Sequence, residues 1–149
     1  MTTAEYIEKM TSEASAMQSF MEAKPSDDPT ILAERLSMAN VYIARSGKLL
    51  ADAKALQDDA MVHAYEKHGE ALAKLGSTMA QKILSSYCKD TNFIVNWLDR
   101  INRGLVHSSD NLRTLISLAK ENMRLGRYAD EIENSNARAY GDEMAHGGW

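Results

Sequence analysis

The chain has 149 residues, 44% hydrophobic and 26% charged, with 17 Lys and Arg against 21 Asp and Glu and a formal net charge of −4. That length suits one domain able to bury a core without disulfides or metal, and the single cysteine, Cys88, excludes an intramolecular disulfide framework and points to a reducing, cytoplasmic setting. The acidic, amphipathic "MTTAEYIEKM" lacks the basic and apolar regions of a signal peptide, and no run approaches the roughly 18 apolar residues of a membrane span, so no membrane partner is expected.

Abundant Ala, Met, Leu, Glu and Lys, few Val and Phe, and only 2 prolines favour helix over sheet, and an all-α fold is expected. Between Thr3 and Ala23 the apolar residues Tyr6 or Ile7, Met10, Ala14, Met17 and Phe20 or Met21 recur at three- and four-residue spacing, one stripe along one helical face. Pro25 forbids continuation and disfavours helical geometry at Lys24. Asp28 followed by Pro29 then supplies an N-cap and a first-turn proline for a second helix.

The second helix carries Leu32, Leu36, Ala39, Ile43, Leu50, Ala53 and Ala60 along one seam and is expected over residues 29–67. At 1.5 Å per residue it would be nearly 60 Å long, too long to cap a compact globule. Ser46 and Gly47 near its middle allow a partner helix to approach closely or the helix to bend. Gly69 and Gly76 are candidate breaks, with Ser77 placed to cap a renewed helix over 77–125. "CKDTN" offers a further interruption near 88–91, and Met79, Ile83, Tyr87, Ile94, Trp97 or Leu98, Ile101, Leu105, Leu112, Leu115 or Ile116, Ala119 and Met123 carry the apolar stripe onward.

Residues 1–125 therefore read as a single helical domain, a long antiparallel helical hairpin with an N-terminal helix. The Ala- and Met-rich seams of two long helices would be left partly uncovered in one chain, so an oligomeric helical bundle, with the protein itself as first partner, is expected. Residues 126–149 lose their periodicity and turn acidic, which predicts a flexible tail, with Tyr140 and Trp149 as aromatic anchors should it dock on a partner.

Recognisable chemistry is sparse. The sequence has no Gly-rich phosphate loop, no Cys pair for zinc and no nucleophile-elbow pattern. Its one Glu-x-x-His, Glu143 with His146, falls in the acidic tail, and His63 and His68 lie five apart, on different sides of a helix. No metal, no cofactor and no catalytic residue are expected, and the protein is read as not an enzyme.

Charge is unevenly distributed: segments 1–28, 29–90, 91–127 and 128–149 carry −4, +1, +3 and −4. Within the one clearly basic segment, Asn96, Arg100, Arg103, His107, Asp110, Thr114, Ser117 and Glu121 recur at spacings of four and three along one helical face, with Asn102 and Arg113 at its edges. A solvated face laced by pairs such as Asp99 with Arg103 accounts for this stripe at a few tenths of a kcal/mol per pair. Against that stands the residue choice: ordinary wet faces are rich in Glu and Lys, whereas Arg, Asn, His and Ser make directed hydrogen bonds. Both readings remain open, and Asn96, Arg100, Asn102, Arg103, His107, Asp110, Arg113 and Ser117 are the partner-binding candidates.

The runs "RLSMANVYIARSGKLLADAKALQDDAM" and "VNWLDRINRGLVHSSDNLRTLISLAKENM" resemble small helical proteins encoded by tailed phages of gut Bacteroidales, over about residues 1–125. The resemblance implies phage origin, action in the host cytoplasm and a family-like motif made of Arg100, Asn102, Arg103, His107, Asp110, Arg113 and Ser117. The leading expectation is a non-enzymatic, self-associating interaction protein that binds a host or phage protein assembly, inhibition of a bacterial defence complex being one form of this. A nucleic-acid-binding or recombination accessory using residues 96–127 is the first alternative, since Arg100, Arg103, Arg113, Lys120, Arg124 and Arg127 supply charge and Trp97 or Tyr87 a stacking face. A virion or assembly component is the second.

Overall fold

A computed structural model describes residues 1–146, which form four helices and no strand: α1 (Thr3–Glu22), α2 (Pro29–Ala73), α3 (Ser77–Ser86) and α4 (Lys89–His146). The fold is all-α. Each helix start has a local cause. At α1 the Thr2 hydroxyl accepts from the Glu5 backbone N–H at 3.2 Å while the Glu5 carboxylate accepts from the Thr2 N–H at 2.6 Å, a reciprocal capping box. At α2 the Asp28 carboxylate accepts from the Thr30 N–H at 2.8 Å, and Pro29 occupies the first turn, where its missing donor costs nothing.

Four features of the boundaries differ from the sequence expectation. The second helix does not stop near residue 67 but runs through Gly69 to Ala73. The Tyr65 ring, one turn back, lies 3.6 Å from where a Cβ on Gly69 would sit and covers the backbone there. The break comes at Gly76, which caps α3 through backbone alone, so Ser77 is the first helical residue and not the cap. The interruption expected near 88–91 falls at Tyr87–Cys88, and α4 then continues without a break past residue 125 to His146. Residues 126–146, expected as a flexible tail, are the last part of this helix, exposed at every position.

The architecture rests on the pairing of α2 with α4. Its rungs run antiparallel: Asn40 with Ser109 (3.3 Å), Ser46 with Asn102 (2.9 Å) and Gln57 with Asn92 (2.6 Å). Between them lie apolar contacts at heptad-like spacing, with Leu49 and Ala53 against Ile94, Val95, Leu98, Ile101 and Leu105, and further along Leu32 and Ala39 against Leu112. Ser46 is fully buried, and a Cβ on Gly47 would lie 3.8 Å from the Asn102 amide nitrogen, so the small pair at mid-helix is where Asn102 of α4 reaches in.

Helix α1 lies over the groove between these two, antiparallel to α2 and parallel to α4. It buries Met10, Ala14 and Met17 in the main core. Arg45 of α2 holds Glu13 through two nitrogens, at 2.8 and 3.2 Å, and Gln18 accepts from the Trp97 indole at 3.4 Å. The end of α1 is pinned by Arg35, which donates to the Phe20 carbonyl at 2.9 Å with its guanidinium 4.5 Å from the Phe20 ring centre. Gly104 of α4 makes room for Met21: a Cβ there would fall 2.9 Å from the Met21 sulfur. At the other end of the molecule Asn92 ties three helices, accepting from Gln57 of α2 and donating to Ser85 of α3, while His68 stacks on Tyr87 at 4.2 Å.

Leu98 has no exposed surface and sits where all three helices of the main core meet. Leu98→Ala is therefore expected to lower the free energy of unfolding by about 2–5 kcal/mol, read from urea denaturation, with the helical circular dichroism of the folded state retained.

Candidate functional site

Helix α4 presents different faces to different neighbours, and the polar stripe is the one turned to solvent. Asn96, Arg100, Arg103, His107, Asp110, Arg113, Thr114, Ser117 and Glu121 are all exposed. Asn102 is not part of this surface. Its amide donates to the Ile43 carbonyl at 3.1 Å and to the Ser46 hydroxyl at 2.9 Å, inside the α2–α4 seam. The sequence carries the signal for this: Leu98, Asn102, Leu105, Ser109 and Leu112 recur at four- and three-residue spacing, so Asn102 belongs to the apolar row.

Within the stripe some charges are paired along the helix. Arg103 meets Asp99 at 3.1 Å and Arg113 meets Asp110 at 3.1 Å, both pairs well exposed and so contributing little to stability. Further along, Arg124 donates to Glu121 at 2.7 Å, and this carboxylate raises the pKa of a guanidinium that is charged in any case. Arg100 and His107, seven residues apart, have no hydrogen-bond or ion-pair partner among the described residues. Beside them Phe93 stands 63% exposed with its ring centre 5.8 Å from that of Trp97. The stripe thus offers unengaged guanidinium and imidazole donors on a helix whose opposite face is locked into the core.

Among the described residues no group of three or more His, Cys, Asp or Glu is placed to hold a metal ion, and no helix is long and apolar enough to cross a membrane. Cys88 is buried where α3 meets α4, and its carbonyl accepts from the Thr91 hydroxyl at 3.0 Å. His63 is exposed and His68 is stacked on Tyr87, on separate surfaces. Tyr140 is exposed near the end of α4, while Trp149, its companion in the sequence reading, lies outside the described residues. No protein-family model, no curated protein and no solved structure matches the chain.

The two kinds of position separate in a stability measurement. Asn102→Ala is expected to cost about 1–3 kcal/mol, because it strips a buried hydroxyl and a carbonyl of a partner. Arg100→Ala, two residues away but exposed, is expected to stay within about 0.5 kcal/mol of the unaltered chain by urea denaturation.

Proposed function

We propose that this protein acts by contact and not by catalysis: a self-associating helical interaction protein that binds a partner protein assembly through the exposed stripe of α4. The observation that carries this reading is the pair Arg100 and His107, unengaged donors on the outer face of a helix whose inner face is buried. Directed donors held on a packed helix lose little freedom on binding, which favours a specific contact with carboxylates or backbone carbonyls of a partner. Arg103 and Arg113 are held by their own acidic neighbours and serve to orient the stripe and to tune its charge. The resemblance to phage-encoded helical proteins supports a bacterial host as the source of that partner, and a host defence complex as one form of it.

The test is capture from host lysate on the immobilised full chain, beside a variant carrying Arg100→Glu and Arg103→Glu. Both positions are exposed, so the variant is expected to keep its melting temperature and to lose the retained assembly. An unchanged set of captured proteins would overturn the assignment of the stripe.

A nucleic-acid reading has one observation in its favour, the exposed Phe93 beside Trp97 with Arg100 one turn further on, an aromatic and cationic edge on which a single-stranded base can stack. Titration of labelled single- and double-stranded DNA at low and high salt decides it. Phosphate contacts would make affinity fall steeply with salt, and absence of binding at low salt would exclude this reading.

A further inference from the structure

Beyond Ala119, α4 leaves the body of the molecule. Residues 120–146 are exposed at every position, a helix about 40 Å long whose first turns border Pro29 and the loop between α1 and α2 and whose remainder has no neighbour among the described residues. Such a helix is poorly supported by its own sequence: it contains Gly126 and Gly141, each costing about 1 kcal/mol relative to alanine, together with three asparagines. Helices in proteins draw most of their stability from packing an apolar face. A Cβ on either glycine would meet nothing within 4 Å, so no contact inside the chain accounts for them.

The exposed helix has an apolar face nonetheless. Leu118 (55% exposed), Leu125 (52%) and Ile132 (44%) follow one another at seven-residue spacing, with Ala139 next in the row. Traced back toward the body, the same row contains Asn111, Gly104 and Trp97. Those last two are where α1 docks, Met21 against Gly104 and Gln18 against Trp97. Helix α1 ends at Glu22, and beyond it the row floors an open trough walled by the loop between α1 and α2, with Ser108, Asn111, Leu115, Leu118 and Asn122 along its base. The uncovered row is therefore the continuation of an interface that α1 covers only in part.

Charge identifies what covers the rest. Along the extension residues 120–127 hold Lys120, Arg124 and Arg127 against Glu121, which already pairs with Arg124, and residues 128–146 hold Asp130, Glu131, Glu133, Asp142 and Glu143 against Arg138. The first block is net basic and the second net acidic, so a helix complementary to this one carries the two in reverse order. The same segment turned antiparallel meets that requirement. We propose that the free part of α4 pairs antiparallel with that of a second copy, crossing near Gly126, so that the far end of each helix fills the trough that α1 leaves open on the other. The crossing sets Lys120 of one copy beside Glu131 and Glu133 of the other, and the absent side chain of Gly126 permits close approach near the two-fold axis. Tyr140 and Met144, 67% and 66% exposed at the far end, gain the trough, with Leu115 and Leu118 in its base, as their contact. A parallel pairing would instead place like blocks side by side and bring two copies of α1 into the same space. The inference rests on the self-association in the functional reading and supplies its geometry.

Sedimentation equilibrium of the full chain over a concentration series tests it. A dimer that weakens from low to high salt is expected, and a chain carrying Leu125→Asp and Ile132→Asp is expected to sediment as a monomer with an unchanged melting temperature, since both positions lie outside the core. Orientation is read by oxidative cross-linking against the unaltered chain, which controls for Cys88. Leu118→Cys mixed with Asn136→Cys is expected to form a covalent dimer, whereas Leu118→Cys alone is not. A monomer at every concentration would overturn both the pairing and the self-association on which it rests. A dimer that survives the double substitution, or one that cross-links through Leu118→Cys alone, would overturn this pairing and leave self-association through another surface standing. Neither outcome bears on the partner captured through Arg100 and Arg103.

Discussion

The register of α2 against α4 is the constraint on which the rest of the molecule depends. Leu, Ile and Ala recur along both seams at spacings of three and four, so apolar burial alone would tolerate a slip of one heptad at modest cost. The polar rungs would not. Asn102 donates to Ser46 and to the Ile43 carbonyl, so a slip of one heptad would set its amide against Ala39 or Ala53 and cost about 1–3 kcal/mol, and buried Ser109 would lose Asn40, while Ser46 keeps its bond to the Ile43 carbonyl of its own helix. Asn92 serves the same end at the far side, where its amide is shared between Gln57 of α2 and Ser85 of α3. A few hydrogen bonds thus select one of several apolar registers.

What α1 can do follows from that register. It needs the small residue Gly104 beneath Met21, Trp97 beside Gln18, and Arg45 of α2 opposite Glu13. These three features come from two different helices and coincide only when α2 and α4 are paired as observed. Once α1 is seated, α4 is covered on two sides over residues 94–108, and the side left over is the one carrying Arg100, Arg103 and His107. The outward direction of the stripe is thus a consequence of the core and not of the stripe's own residues.

Much of this was legible in the residues, and the failures have physical reasons. Periodicity and Pro25, Asp28 and Pro29 locate the first turn and the start of α2 to the residue, because a missing donor and a side-chain cap act locally. Gly69 does not end the helix because glycine propensity is a weak prior: one glycine costs about 1 kcal/mol relative to alanine, which a long helix absorbs. Asn102 was grouped with the outward stripe on residue type, although its spacing from Leu98 and Leu105 placed it on the buried row; polarity outweighed position, and position was the better guide. For residues 126–146 the fall in apolar content argued against order, and the seven-residue row through Leu125 and Ile132 was thin enough to miss. In the proposed pairing that row is half of an interface, and the other half cannot be seen in the periodicity of one helix.

If the proposed stripe contact and the proposed pairing both hold, α4 carries two contacts on one helix. A crossing near Gly126 lies about 19 residues beyond His107 on each chain, which separates the two stripes of a dimer by roughly 57 Å along the common axis and turns them to opposite ends. Two sites fixed at such a distance on a stiff rod bind a repeating or symmetric target far more tightly than either alone, since engagement of the first raises the effective concentration of the second only where the spacing matches. The length of α4, which exceeds anything its own core requires, then has a physical use. In the proposed dimer it would set the span between the two contacts.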